Sequence, residues 1–162
     1  MTWRLSHRFD PRARVMADRH YSRQKPGTPQ FVAPGRCLVL WQPGAVWVTS
    51  WPFAEFTHHA WAGAWVCSIF RNEGAGLSSD LIREAVAATC WRWQPPPLGM
   101  VTFVDVARVH HKRDPGRCFR KAGFRPCGTT GSGLLALQLL PIDMPDPSEP
   151  HDVQSDLFPE AH

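Results

Sequence analysis

The run Ala64-Trp65-Val66-Cys67-Ser68-Ile69-Phe70 leads directly into Arg71-Asn72-Glu73-Gly74-Ala75-Gly76, and a helical pattern begins at Ser78 or Ser79. A short, largely apolar run bounded by Gly63 and charge predicts a buried central strand. A strand that turns through glycines into a helix commits the chain to a layered α/β arrangement, because the helix must bury its apolar stripe on the sheet. At such a turn, glycines let successive backbone N–H groups converge on an anion, and the helix adds the positive end of its dipole. Pyrophosphate fits that geometry. Glycine-rich strand-to-helix turns also occur without any ligand, so position and context carry more weight than the six letters.

The flanking sequence fills in the sheet. Cys37 to Trp41 and Ala45 to Ser50 are β-rich runs separated by Gln42-Pro43-Gly44, a hairpin composition. From Ser78 to about Trp93 the residues Leu81, Ile82, Ala85, Val86, Thr89 and Cys90 recur at helical spacing, with Ser78 as expected N-cap and Pro95-Pro96-Pro97 as the stop. Met100 to Val106 predicts another strand, Gly116 to Ala122 a short helix, and Phe124 with Leu134 to Leu140 the closing strands. Near the start, Asp10 or its neighbour caps a helix through Arg12 to Arg19, with Pro11 in its first turn. Arg23 to Gly35 reads as a long loop. The expected class is α/β (α+β): one domain over residues 1–141 with a mixed central sheet flanked by helices.

Residues 142–162 carry six acids, Asp143, Asp146, Glu149, Asp152, Asp156 and Glu160, with four prolines and no Lys or Arg. That composition predicts a disordered acidic tail. The remaining body then holds 18 basic residues against eight acidic ones, a formal charge of about +10 where the whole chain has +4. Such a body suits a polyanion, either nucleic acid or the phosphates of a nucleotide-like cofactor, and is equally compatible with a generically basic protein. Five cysteines form no C-x-x-C pair and no membrane-length apolar run is present, so a reduced cytoplasmic protein with no membrane partner is expected.

Arg71, Gly74 and Gly76 fill the pattern Arg/Gln-x-x-Gly-x-Gly/Ala of the acyl-CoA loop in the GNAT acyltransferase superfamily, which the chain resembles. Phe119-Arg120-Lys121-Ala122-Gly123-Phe124 is similar to that family's closing Tyr-x-Lys-x-Gly-Phe segment, although Gly123-Phe124 also reads as a helix C-cap followed by a core aromatic. Together the two segments span roughly Cys37 to Leu140. The resemblance implies acetyl-CoA or a related acyl donor held by Arg71, Asn72, Gly74, Gly76 and Ser78. It also marks a departure, since Phe119 stands where the family often has the tyrosine that protonates the leaving thiolate. Tyr21 is the one tyrosine in the chain, so a phenolic acid or base has to come from the His20-Tyr21 element.

A narrower resemblance rests on His20-Tyr21-Ser22, Arg71-Asn72-Glu73, Thr102-Phe103-Val104-Asp105 and, loosely, Phe124-x-x-x-Gly128-x-Thr130. These segments are similar to the Mom-type DNA modification proteins of bacteriophages, which convert adenine in DNA to an N6-carbamoylmethyl derivative and so shield it from restriction enzymes. The resemblance implies double-stranded DNA as partner, a bacterial host cytoplasm as location, and His20, Tyr21, Arg71 and Asp105 as the working cluster. Asp105 or His20 would take the proton of the exocyclic amine, with Tyr21 donating or orienting and Glu73 in reserve. Iron is implied as well, with no complete ligand set in the sequence. Each residue also has a plain structural role available: His20-Tyr21 ends a helix, and Asp105 caps the turn after a strand.

Lys112, Arg113, Arg117, Arg120 and Lys121 are candidate DNA contacts, or members of a solvated basic surface. Most of the eight tryptophans are expected in the core, with Trp51 or Trp61 as candidates to stack on an extruded base. His58-His59 is adjacent rather than face-sharing and argues against a shared metal ion. An acyl-CoA N-acyltransferase acting on a small amine is the alternative function, and a GNAT-like binding module without catalysis a third.

Overall fold

The computed structural model describes residues 1–20, 31–107 and 114–152. Seven strands form one mixed sheet in the order β1-β2-β3-β4-β5-β7-β6. They are β1 (Arg4–Leu5), β2 (Arg36–Gln42), β3 (Ala45–Trp51), β4 (Trp65–Asn72), β5 (Met100–Val104), β6 (Arg125–Thr129) and β7 (Leu135–Leu139). The helices are α1 (Pro11–Ala17), α2 (Ser78–Arg92) and α3 (Arg117–Lys121). The mixed α+β class expected from the sequence is the one observed.

β2 and β3 pair in full register from Arg36↔Trp51 to Gln42↔Ala45. Gly44, at φ +86°, supplies the positive φ that closes this two-residue turn. Between β3 and β4 the register slips: Val48 faces Ile69 while Thr49 faces Cys67, so Ser68 is an extra residue on β4. Such a bulge bends the strand and re-aims the side chains beyond it. β4 and β5, joined by the α2 crossover, are the parallel neighbours. β6 and β7 close the sheet as an antiparallel hairpin, with β6 outermost.

The sheet buries both faces. On one, α2 and α3 cover Leu40, Trp47, Trp65, Met100, Phe124, Leu137 and their neighbours. On the other, α1 and residues Phe31 and Val32 cover Val39, Val46, Val48 and Ile69. Asp10 caps α1 by accepting the Arg12 N–H at 2.9 Å. At the end of α3, Gly123 takes φ +107° and Phe124 donates its N–H back to the Phe119 carbonyl at 3.0 Å, which turns the chain into β6.

Several expectations are corrected. β4 continues two residues beyond Phe70, pairing Arg71 with Val46 and Asn72 with Ala45, so the glycine turn proper starts at Glu73. Leu77 rather than Ser78 is the N-cap of α2. The Ser78 hydroxyl lies 2.9 Å from Asn72 Nδ2 and accepts its hydrogen bond. β5 ends at Val104, not Val106, because the Asp105 carboxylate accepts the Ala107 N–H at 3.1 Å and starts a turn. β1 is an addition that no periodicity announced in so short a strand.

The tail differs most. Residues 142–152 follow a defined course, with a 3₁₀ turn at Pro141–Asp143 and a buried Pro150. Leu5 donates to the His151 carbonyl at 2.8 Å and His151 donates to the Trp3 carbonyl at 2.9 Å, so the segment caps the β1 edge. Prolines here satisfy the geometry of an extended edge rather than prevent order. Residues 153–162 lie outside the described residues.

Candidate functional site

The parallel pairing of β4 and β5 covers Trp65↔Met100, Val66↔Val101 and Cys67↔Thr102 and then stops. β4 nevertheless runs on to Asn72 and β5 to Val104, so the strands part at their carboxyl ends, just beyond the Ser68 bulge. In open α/β sheets ligands bind at such carboxyl ends.

Above this opening lies the glycine turn. Asn72 organises it: its Oδ1 accepts the N–H groups of Gly74 (3.1 Å) and Ala75 (2.9 Å), and its Nδ2 donates to the Gly76 carbonyl at 2.8 Å. Glu73 donates its N–H to the Gly44 carbonyl at 2.6 Å, tying the turn to the β2–β3 hairpin. Two amides expected to face phosphate are therefore engaged by Asn72. The N–H groups of Gly76, Leu77, Ser78 and Ser79, at the start of α2, find no acceptor among the described residues. These are the donors and dipole end that an anion would meet. Gly74 at φ +96° and Gly76 at φ +157° hold backbone that a side chain would strain.

Arg71 and Glu73 lock onto the end of α1. Arg71 Nε donates to Glu73 Oε2 at 2.5 Å and Arg71 Nη1 donates to the Arg19 carbonyl at 3.0 Å. Arg19 Nη1 in turn donates to both Glu73 oxygens, at 2.8 and 3.0 Å. The hydrogen bond from Arg71, then that from Arg19, lowers the Glu73 pKa below its ordinary value. A carboxylate held this way is a weak proton acceptor and a good clamp. Arg19 is the residue that sequence reasoning missed; no spacing links it to a turn more than fifty residues downstream.

Asp105 stands half-buried immediately after β5. Met100 and Val104 point into the α2-side core, so by strand alternation residues 101 and 103 turn to the α1 side, and Asp105 follows just past the strand's end. Arg71 shares that side, since it sits opposite Val46, which packs under α1. Arg71 and the end of α1, where His20 donates its N–H to the Ala17 carbonyl, thus share one face, and Asp105 follows β5 at the same carboxyl end of the sheet. Tyr21 lies outside the described residues, as do Lys112 and Arg113.

Phe119 is buried among Trp47, Phe70 and Phe124, with ring centroids 6.4, 6.0 and 5.3 Å away. It fills the core between β4 and α3 and offers no proton. Arg120 pairs with Asp114 and donates to the Pro115 carbonyl, bracing its own turn, while Arg117 and Lys121 are exposed. Trp51 is packed against Trp65 and Trp93, has Arg36 stacked over its ring at 3.7 Å, and donates its indole N–H to Gly63. Trp61, with His59, packs on Phe103 instead.

Among the described residues no three His, Cys, Asp or Glu side chains stand close enough to share a metal ion. No helix among them is long and apolar enough to cross a membrane. No protein-family model, curated protein or solved structure matches the chain.

Proposed function

We propose that the protein is a GNAT-like transferase of the Mom type that modifies the exocyclic amine of adenine in DNA and so protects that DNA from restriction. The observation that carries this is the parting of parallel strands β4 and β5 beyond Cys67 and Thr102, beneath the Glu73–Gly76 turn, with Asp105 at the end of β5. A donor's phosphates fit the free amides from Gly76 to Ser79 with Arg71 alongside, and its reactive end then reaches down the opening between the strands. An acyl donor such as acetyl-CoA would supply the activated carbonyl carbon, which bonds to the amine nitrogen as its C–S bond breaks and the coenzyme A thiolate leaves.

Asp105 and the His20–Tyr21 element are the candidates to accept the proton that the adenine amine loses as it forms the new bond. Glu73 drops to a supporting role, because its carboxylate is committed to Arg71 and Arg19. Exposed Arg117 and Lys121, with the basic body, would meet the DNA backbone. An acyl-CoA N-acyltransferase for a small amine would share the turn and the opening, and bacterial cytoplasm suits both. The buried setting of Phe119 bears equally on both readings, since the residue stands where either family tends to have a tyrosine, and the two differ instead in whether DNA is the partner.

Nucleoside mass spectrometry of plasmid DNA from bacteria expressing the protein tests the assignment. A mass-shifted deoxyadenosine that vanishes with Asp105→Asn and Tyr21→Phe is expected. Unmodified DNA from well-expressed, folded protein would overturn it in favour of the small-amine transferase.

A further inference from the structure

Three aromatic rings gather outside both hydrophobic cores. His59 and Phe103 have centroids 4.9 Å apart, Trp61 and Phe103 5.9 Å, and His59 and Trp61 6.0 Å. All three are half-buried, and Trp61 and Phe103 belong to neither core cluster. The group is held by the backbone: Trp61 donates its N–H to His59 Nδ1 at 3.0 Å. Beneath the indole, β6 presents Gly128, where a Cβ would sit 3.5 Å from the Trp61 ring. That is ordinary van der Waals contact, so the indole packs on the outermost strand of the sheet.

The surroundings suit a base and its phosphate. Gly128, Ala136 and Phe103 form one row across β6, β7 and β5, and Arg125, Gln138 and Val101 form the next, on the same face. Exposed Arg125 therefore lies one row from the rings. Asp105 follows Phe103 by two residues, immediately past the end of β5. His59 accepts at Nδ1 and its burial lowers its pKa, so the neutral ring keeps Nε2–H as its one remaining donor. Three rings tilted at 38–54° to one another, one ring donor and a nearby guanidinium together offer an unstacked nucleobase a ring to stack on, a hydrogen-bond donor and a phosphodiester partner.

We propose that Trp61, His59 and Phe103 are the ledge on which an unstacked adenine of a DNA strand rests beside Asp105. The choice of a DNA base rests on the transferase reading above; the ledge itself rests on the ring geometry.

The test uses the full chain and fluorescein-labelled single strands carrying one central adenine or an abasic site in its place, read by anisotropy. Wild-type protein is expected to bind the adenine strand about ten-fold more tightly. Trp61→Ala should erase that preference, and Trp61→Phe should keep most of it. Should Trp61→Ala fail to fold by thermal melting, His59→Ala reports on the same ledge. Equal binding of the two strands by wild type, or a preference untouched in folded Trp61→Ala, would overturn the ledge, as would displacement of the strand by an aromatic peptide and not by dAMP. A preference lost in Trp61→Ala in protein that leaves cellular DNA unmodified would support the ledge and strike the transferase. Modified DNA without any preference would do the reverse.

Discussion

The ring of Phe119 meets the ring of Phe124 edge-on, with centroids 5.3 Å apart and planes at 84°. This contact joins α3 to the residue just before β6, and Phe119 also packs against Trp47 and Phe70. Phe119→Ala should therefore cost about 3 kcal/mol of stability, as large-to-small core changes do. Urea unfolding followed by tryptophan fluorescence measures it; a change below about 1 kcal/mol would show that the cluster tolerates collapse.

Gly99 and Gly74 both adopt positive φ, at +67° and +96°, in different surroundings. A Cβ on Gly99 would sit 2.0 Å from the Leu139 carbonyl oxygen, whereas one on Gly74 meets nothing within 4 Å. Gly99→Ala is expected to lose roughly 3 kcal/mol or more, combining overpacking with φ strain. Gly74→Ala should lose only about 1 kcal/mol, from strain alone. Equal effects in parallel urea titrations would contradict the packing of β7 against the start of β5.

Asn72→Ala removes the acceptor of two loop N–H groups and the donor to Gly76. The fold should survive with a loss of about 1–2 kcal/mol, given net values for part-exposed hydrogen bonds. Coenzyme A affinity, measured by calorimetry, should fall about ten-fold because the turn no longer holds its shape. Unchanged affinity would remove the turn from the donor site.

Glu73→Gln frees Arg71 and Arg19 from their shared carboxylate. Affinity for coenzyme A is expected to rise several-fold at low salt, since the guanidinium groups no longer meet an internal anion. In wild type the Glu73 pKa is lowered, so its contribution to stability is present above the ordinary value of 4.5 and is lost as pH falls through the folded-state value. The variant should lack that acid-side decline in Tm.

His59 has its pKa lowered by burial. The unfolded chain takes up a proton there before the folded protein does, so stability is full above pH 6.5 and declines as pH falls below it. His59→Gln should flatten this part of the Tm profile. An identical slope in the variant would assign the decline to other groups.

The elements around the glycine turn were legible because their periods are unambiguous: a short apolar run, a proline-glycine hairpin, and an amphipathic helix stopped by three prolines. β1 was not, since two residues carry no period. The tail composition pointed to disorder, yet His151 pairs with the edge residues Trp3 and Leu5, a long-range match that no local pattern encodes. At the site, Arg71, Asn72 and the glycines announced themselves as a group. Arg19 did not, because its partner Glu73 is distant in the chain and meets it only through folding.

What the sequence by itself determined is the order and kind of the elements and the place of the glycine turn, because hydrophobic period and backbone-specific residues act locally. Only the tertiary structure decided that Glu73 serves as a clamp, that Phe119 belongs to the core, that β4 and β5 part beyond Cys67, and that Trp61 leans on Gly128. Those outcomes depend on which faces and strand ends meet, and contact between residues far apart in the chain is fixed by packing and register rather than by neighbours in sequence.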